Sequence, residues 1–253
     1  MGEIVMKTLE PKVQTFPLNR VIFDLDNTLI NAENIKAALF QELDTFGISS
    51  TQAKTIYENT KKQNAENVFT LDMFVKLTTE AHLSRTQETV SVQKLQKKLK
   101  KIAEHSVVPY SQEILTDCVK KKRDIYLLSS GDQDWQMKKI LWTGLAKFFK
   151  RSHIMIVAGD NVFQKKCHAI HKIFGKFFDG SHTLFVNDRP DETKVILESF
   201  PHIVCFLRYE ERNTRFPRET FNALQQSFPK RVLVDTSLQP IQTLEAEINE
   251  NLK

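Results

Sequence analysis

Six short apolar runs constrain this chain more than anything else in it: Arg20–Phe23, IYLL at 125–128, HIMIVAG at 153–159, HTLFV at 182–186, IVCFL at 203–207 and RVLVD at 231–235. Each has the length and the β-branched or aromatic content of a strand. From Pro109 onward they alternate with segments of helical period, at 113–122, at 135–149 and around Ala169, Ile170, Ile173 and Phe174, and a last helix is expected at 241–252. Strands alternating with helices predict an α/β fold, a Rossmann-like and mostly parallel sheet flanked by helices. Between the first run and residue 107 no strand is evident. Ile35, Ala38, Leu39, Leu43 and Phe46 recur at helical spacing; Ser49 and Ser50 open a second segment; Leu71, Phe74, Val75 and Leu77 stripe a third; 90–102 forms a fourth. The expected organisation is a tail at 1–19, an α/β core domain made of 20–30 and 108–253, and an all-helical domain inserted at 31–107.

Parallel strands end along one rim, and ligands of such sheets bind outside that rim. The first run enters DLDNT at 24–28, with Asp24 and Asp26 spaced i, i+2. In an extended chain both carboxylates face one way and each disfavours ionisation of the other, so a cation is expected between them. The plainer alternative is an acidic turn, with Thr28 capping a helix. The second run ends in Ser129-Ser130, and the HTLFV run breaks off at Asn187-Asp188-Arg189-Pro190-Asp191-Glu192; Lys165 and Lys166 stand in reach, just ahead of a helical run. Carboxylates, a hydroxyl and a lysine converging without a glycine-rich phosphate loop describe a site for a divalent cation and an oxyanion. Magnesium suits it, because it takes hard oxygen ligands from one or two carboxylates and completes its shell with water and phosphate oxygens.

Other readings find less support. No apolar run approaches the roughly 20 residues of a membrane helix, and the N-terminal stretch lacks the apolar core of a secretory signal. Cys118, Cys167 and Cys205 are widely spaced and odd in number, which suits a reducing compartment, so a cytoplasmic protein is expected. Cys167, His168 and His171 have no second ligand pair at zinc-site spacing. The formal charge of +5 suits an anionic partner and solubility equally. KLQKKLKK at 94–101 reads as the solvated face of an amphipathic helix striped by Leu95, Leu99 and Ile102, so no specific nucleic-acid binding is expected.

The register of four features, DLDNT at 24–28, an apolar strand ending in Ser129, a lysine before a helix, and an apolar strand ending in Asp188 with further acids behind it, resembles the haloacid dehalogenase-like (HAD) phosphohydrolases over residues 20 to about 200. The resemblance implies Asp24 as nucleophile, forming an aspartyl-phosphate, and Asp26 as general acid and base. Dehalogenases of that superfamily carry another residue in the place of Asp26. It implies Ser129 and a lysine on the phosphoryl oxygens, with Ser130 beside them, and magnesium held by Asp24, Asp188 and the Asp26 carbonyl. Thr28 would brace the loop by hydrogen bonding. Lys166 is preferred to Lys165 because Ala169, Ile170 and Ile173 follow it at plus three, four and seven. The sequence departs from the family at Asn187, at Cys167, and in the second acid, where Glu192 or Asp191 stands for an Asp or Asn. The helical insertion corresponds to a cap closing over the site. The activity implied is a magnesium-dependent phosphatase for a small phosphorylated substrate; a phosphomutase, or a non-catalytic phosphate-binding scaffold, are the alternatives.

Overall fold

The structure, a computed structural model, describes residues 18–64, 66–83, 91–159, 161–211 and 215–244. Its centre is β1 (Arg20–Phe23), paired on one side with β2 (Asp124–Ser130) and on the other with β4 (Thr183–Asn187). Beyond them lie β3 (Ile154–Val157), β5 (Val204–Arg208) and β6 (Val232–Asp235), giving a six-stranded sheet in the order β3-β2-β1-β4-β5-β6 with every pairing parallel. The protein is therefore an α/β, Rossmann-like fold. In β4 and β5 every residue is buried, as expected of parallel strands covered on both faces.

Alternation along the strands sorts side chains into two cores. Val21 and Phe23 of β1 join Leu127, Val186 and Phe206 on one face. Ile22 joins Leu128, Phe185, Cys205 and Leu207 on the other, under α7 (Val162–Phe174), α8 (Pro190–Ser199) and α9 (Arg218–Ser227). The first core continues without a break into the helical segment, where α1 (Ala32–Asp44), α2 (Ser50–Lys62), α3 (Leu71–Leu83) and α4 (Val92–Glu104) bury Leu39, Ile56, Phe74 and Leu99. α5 (Ser111–Lys120) and α6 (Gln133–Trp142) complete that side. Local signals start these helices: Asn31 caps α1, a Ser49–Gln52 capping box opens α2, and Asp132 accepts from the Trp135 amide to cap α6. The chain leaves and re-enters the α/β layer at neighbouring points. Ile30 bridges Val107, and the Leu29 carbonyl accepts from both the Val108 amide (2.9 Å) and the Ser111 hydroxyl (3.0 Å).

Several element boundaries differ from the sequence expectation. The helix expected at 135–149 ends at Trp142, because Gly144 takes φ 71° and a 3-10 turn at Leu145–Phe148 follows. α7 begins at Val162, so Lys165 and Lys166 lie within the helix instead of before it. At the C-terminal end the described chain holds a 3-10 turn, Gln239–Gln242. The remainder of the helix expected at 241–252, the tail at 1–17, the first turn expected near 90, and Asp160 lie outside the described residues. Among the described residues no helix is long and apolar enough to cross a membrane.

One short loop carries this architecture into the site. The Asp24 amide still donates to the Val186 carbonyl (2.9 Å), extending the ladder one residue past β1. The chain then turns sharply: the Leu25 carbonyl receives the amides of Leu29 (3.0 Å) and Ile30 (3.1 Å), and Asn27 sits at φ 59°, a left-handed conformation that Asn tolerates. Leu25, Leu29 and Ile30 are wholly buried beneath it. Truncating such a side chain removes its transfer free energy and leaves a cavity. Leu25→Ala is expected to lower unfolding free energy by about 2–5 kcal/mol in urea titrations, and a loss below about 0.5 kcal/mol would show that the loop is not anchored this way.

Candidate active site

The carboxyl ends of β1, β2 and β4 bring Asp24, Asp26, Ser129, Ser130 and Asp188 to one cavity of about 550 Å³. Asp24 is 5 % exposed and Asp188 5 %, so both carboxylates are held almost out of water. Lys166, fully buried on α7, places Nζ 2.6 Å from Asp24 Oδ1 and 2.6 Å from Glu192 Oε1. Lys165, its neighbour, points elsewhere and donates to the Ala158 carbonyl at 2.5 Å. The same geometry separates the two acids after Asp188. Glu192 is wholly buried and faces Lys166, whereas Asp191 is bound by the Arg189 guanidinium at 2.8 and 3.2 Å.

Electrostatics follow from this burial. Desolvation is the largest influence on Asp24 and outweighs the attraction of Lys166; with the repulsion of Glu192 and Asp26 added, its carboxyl is pushed from 3.8 up to about 6. Asp188 is raised well above the ordinary carboxylate range, first by burial and then by the charges of Asp24 and Glu192. Burial works against the ammonium of Lys166, yet two facing carboxylates raise its pKa and keep it charged. Burial also opposes ionisation of Asp191, but the Arg189 hydrogen bonds draw it below its ordinary value.

Asp26 is organised by residues that the sequence did not single out. Both its carboxylate oxygens take the ammonium of Lys139, with Nζ 2.6 Å from Oδ2, and Gln136 Nε2 donates to Oδ2 at 3.0 Å and to the Ser130 carbonyl at 2.5 Å. Lys139 and Gln136 are 3 % and 2 % exposed, so this is an interior clamp and not a surface pair. They sit with Trp135 on the buried face of α6. Gly131 permits the arrangement: its φ is 139°, and a Cβ there would lie 2.6 Å from Gln136 Nε2. Nothing in QDWQMKKIL separates Lys139 from Lys138 by composition; only the phase of α6 does. Asn187 is likewise more than a departure from a pattern. Its side-chain amide donates to Glu192 Oε1 (3.1 Å) and Thr193 (3.1 Å), while its carbonyl accepts from the Asp188 amide (3.0 Å), fixing both acids.

Thr28 requires a correction. It is wholly buried, but its hydroxyl has no hydrogen-bond partner among the described residues, and the cap of α1 is Asn31. The loop is braced from other quarters: Asn27 Oδ1 accepts from the Ala32 amide (3.1 Å) and the Arg208 guanidinium donates to the Asn27 carbonyl (2.7 Å). His168 lines a different cavity, between β3 and α7, which holds none of Asp24, Asp26 and Asp188.

The donor set is chemically suited to magnesium. Asp24 and Asp188 are hard oxygen donors at one cavity, both raised in pKa first by burial, and the Lys166 ammonium meets only Asp24 and Glu192 directly. Glu192 Oε2 is a buried acceptor with no hydrogen bond among the described residues, 4.0 Å from the Arg189 guanidinium. Among the described residues no group of three or more His, Cys, Asp and Glu side chains is arranged to enclose a metal. Two carboxylates and a backbone carbonyl are instead the sparse set that magnesium accepts, since it retains much of its water.

With this fold and rim in place, the comparisons with other proteins converge. The sequence profile of the haloacid dehalogenase-like hydrolases matches residues 21–195, and the chain belongs to that family. Among solved structures, a protein of Burkholderia xenovorans LB400 assigned as a haloacid dehalogenase-like hydrolase superposes with TM-score 0.61 at 16% identity, covering 92% of this chain and 99% of the other. YfnB of Bacillus subtilis, assigned as a HAD hydrolase and solved bound to magnesium, gives 0.55 at 16% identity over 91% and 99%. An L-2-haloacid dehalogenase of Xanthobacter autotrophicus gives 0.54 at 10% identity over 90% and 98%. At such identities the likeness is one of fold. Among curated protein sequences the chain finds no match.

The raised carboxyl of Asp24 has a measurable sign. A folded-state pKa above the unfolded value contributes stability at low pH and loses it as pH rises through the window from about 3.8 to about 6. Asp24→Asn removes that dependence. In chelator, the melting temperature of Asp24→Asn minus that of the unsubstituted protein is expected to grow as pH rises from 4 to 7, and to shrink when magnesium is added. A difference that falls with rising pH in chelator would contradict the assigned electrostatics.

Proposed function

We propose that this hydrolase is a magnesium-dependent phosphatase that cleaves a phosphate monoester through an aspartyl-phosphate. The observation that carries the reading is the pairing of two carboxylates with different environments at the end of β1. Asp24 is buried against Lys166 and Asp188, as a nucleophile facing phosphorus needs; Asp26 is partly exposed to the same cavity and held by Lys139 and Gln136. A dehalogenase has no use for a second carboxylate that exchanges protons with a leaving alcohol, and a binding scaffold has none either.

In the first half-reaction Asp24 Oδ bonds to phosphorus as the ester P–O bond breaks, and the carboxyl of Asp26 gives its proton to the departing alkoxide. In the second, Asp26 takes a proton from water as that oxygen bonds to phosphorus, and the P–O bond to Asp24 breaks to release inorganic phosphate. Lys166 and the Ser129 hydroxyl hold phosphoryl oxygens throughout. Asp24, Asp188 and the Asp26 carbonyl would hold magnesium, which when bound would supply positive charge where the transferring group gathers negative charge. Helices α1 and α2 form a lid over the rim, since Glu33, Lys36, Tyr57 and Lys61 line the same cavity as Asp24. The substrate is a small phosphorylated molecule. The three cysteines are free and buried, which suits the reducing conditions of the cytoplasm.

Purified full-length protein is expected to release phosphate from p-nitrophenyl phosphate with magnesium and to stop when the metal is chelated. Asp24→Asn should abolish turnover, and Asp26→Asn should lower kcat by about 10²–10⁴-fold. Undiminished turnover in Asp24→Asn would sink the mechanism. Halide release from 2-haloacids, or isomerised sugar phosphate without free phosphate, would replace the phosphatase with a dehalogenase or a mutase.

A further inference from the structure

The reacting phosphoryl group is provided for at the sheet edge, by Lys166, Ser129 and the acids around them. Two further cations enter the same cavity from the opposite side, on the helical insertion. Lys36 of α1 and Lys61 of α2 lie 5.1 and 4.5 Å from the centre of one ring, that of Tyr57. That ring is a fixed platform: it stacks on Phe69 at 4.7 Å and 23°, and Phe40 meets it edge-on at 5.7 Å. Cation–π attraction thus holds two ammonium groups within about 10 Å of each other, facing a space shared with Asp26. Their carboxylate partners are loosely held, Glu58 outside the cavity and Glu33 on its lining. Glu33 is 3.6 Å from Lys36 with a side chain 63% exposed, and Glu58 is 3.3 Å from Lys61 with a side chain 46% exposed. Such exposed pairs are weak, and each ammonium has three donors to offer. Across the cavity Arg189 is already engaged by Asp191, and Arg215 stacks on Phe216.

Resting on the phosphatase reading, we propose that the leaving group of the substrate carries a second anionic group, a carboxylate or another phosphate, and that Lys36 and Lys61 hold it against Tyr57. An adjoining cavity of about 360 Å³, which these three residues also line, gives a leaving group of several heavy atoms room to lie between the sheet edge and the two ammonium groups. Lysines act as point charges without the planar fork of arginine, so the pair accepts either kind of anion. The result is an acidic floor for metal and phosphorus, with a basic wall for the remainder of the molecule.

The test separates this subsite from catalysis by measuring binding to Asp24→Asn in magnesium, using matched ligands that differ by one anionic group. The pairs are 3-phosphoglycerate against glycerol 3-phosphate, and fructose 1,6-bisphosphate against fructose 1-phosphate. The more anionic member of at least one pair should bind about tenfold more tightly by calorimetry, and the pair that does so tells carboxylate from phosphate. Adding Lys36→Met and Lys61→Met should bring the ratio close to one, and raising salt from 50 to 500 mM should shrink it without any substitution. Equal affinities in both pairs, equally absent binding in both, or a ratio that survives the lysine substitutions would overturn the proposal. Turnover by the unsubstituted enzyme is read separately: discrimination in binding with no hydrolysis of any ester would remove the phosphatase and leave the subsite standing.

Discussion

The buried ammonium of Lys166 ties three elements of the site together. Lys166 has no exposed surface and is 2.6 Å from each of two carboxylates, one at the end of β1 and one on α8. Desolvating three charges is costly, and such a cluster is poor evidence for stability in itself. Its consequence is positional: the end of β1, the first turns of α7 and the start of α8 cannot move independently without stranding a charge. The cluster is also unbalanced, since Asp188 adds a third acid that Lys166 does not contact, and both Asp24 and Asp188 are raised in pKa. The buried acids around Lys166 are thus left short of positive charge in the structure.

A second ammonium, Lys139, does for Asp26 what Lys166 does for Asp24. The two acids are two residues apart, yet each has its own lysine from a different helix, α6 or α7, on opposite faces of the sheet. That separation allows neighbouring carboxylates to take different roles. Asp24 is fixed and shielded, whereas Asp26 keeps one side open to the cavity, with a side chain 31% exposed. The turn through Leu25, Asn27 and Ile30 makes the split possible by taking the chain off the sheet immediately after Asp24.

Much of this was legible in the residues. The six strands stand where apolar runs meet polar breaks, because a parallel strand covered on both faces must be apolar along its whole length. Asp24, Asp26, Ser129 and Asp188 were legible for the same reason: a polar residue ending such a strand lies on the rim. What misled was local. Thr28 reads as a cap or a brace, but its buried hydroxyl has no hydrogen bond among the described residues, while Asn31 and Arg208 do that work. Gly144 shortens α6 because its left-handed backbone is a property of the tertiary turn, where a period count sees only more apolar residues. Lys139 and Gln136 were invisible, since a lysine among lysines on an amphipathic helix is solvated in most folds.

The sequence by itself determined the sheet, its flanking helices and the acids along its edge, since hydrophobic period and strand termination are local signals that survive without coordinates. Only the tertiary structure decided partnership. It put Lys166, not Lys165, against Asp24, gave Glu192 to Lys166 and Asp191 to Arg189, and set Lys36 and Lys61 on either helix beside Tyr57. The physical reason is that an ammonium acts over a few ångströms. Which carboxylate it meets depends on the phase of a helix and the crossing of elements far apart in the chain, and spacing along the sequence does not encode either.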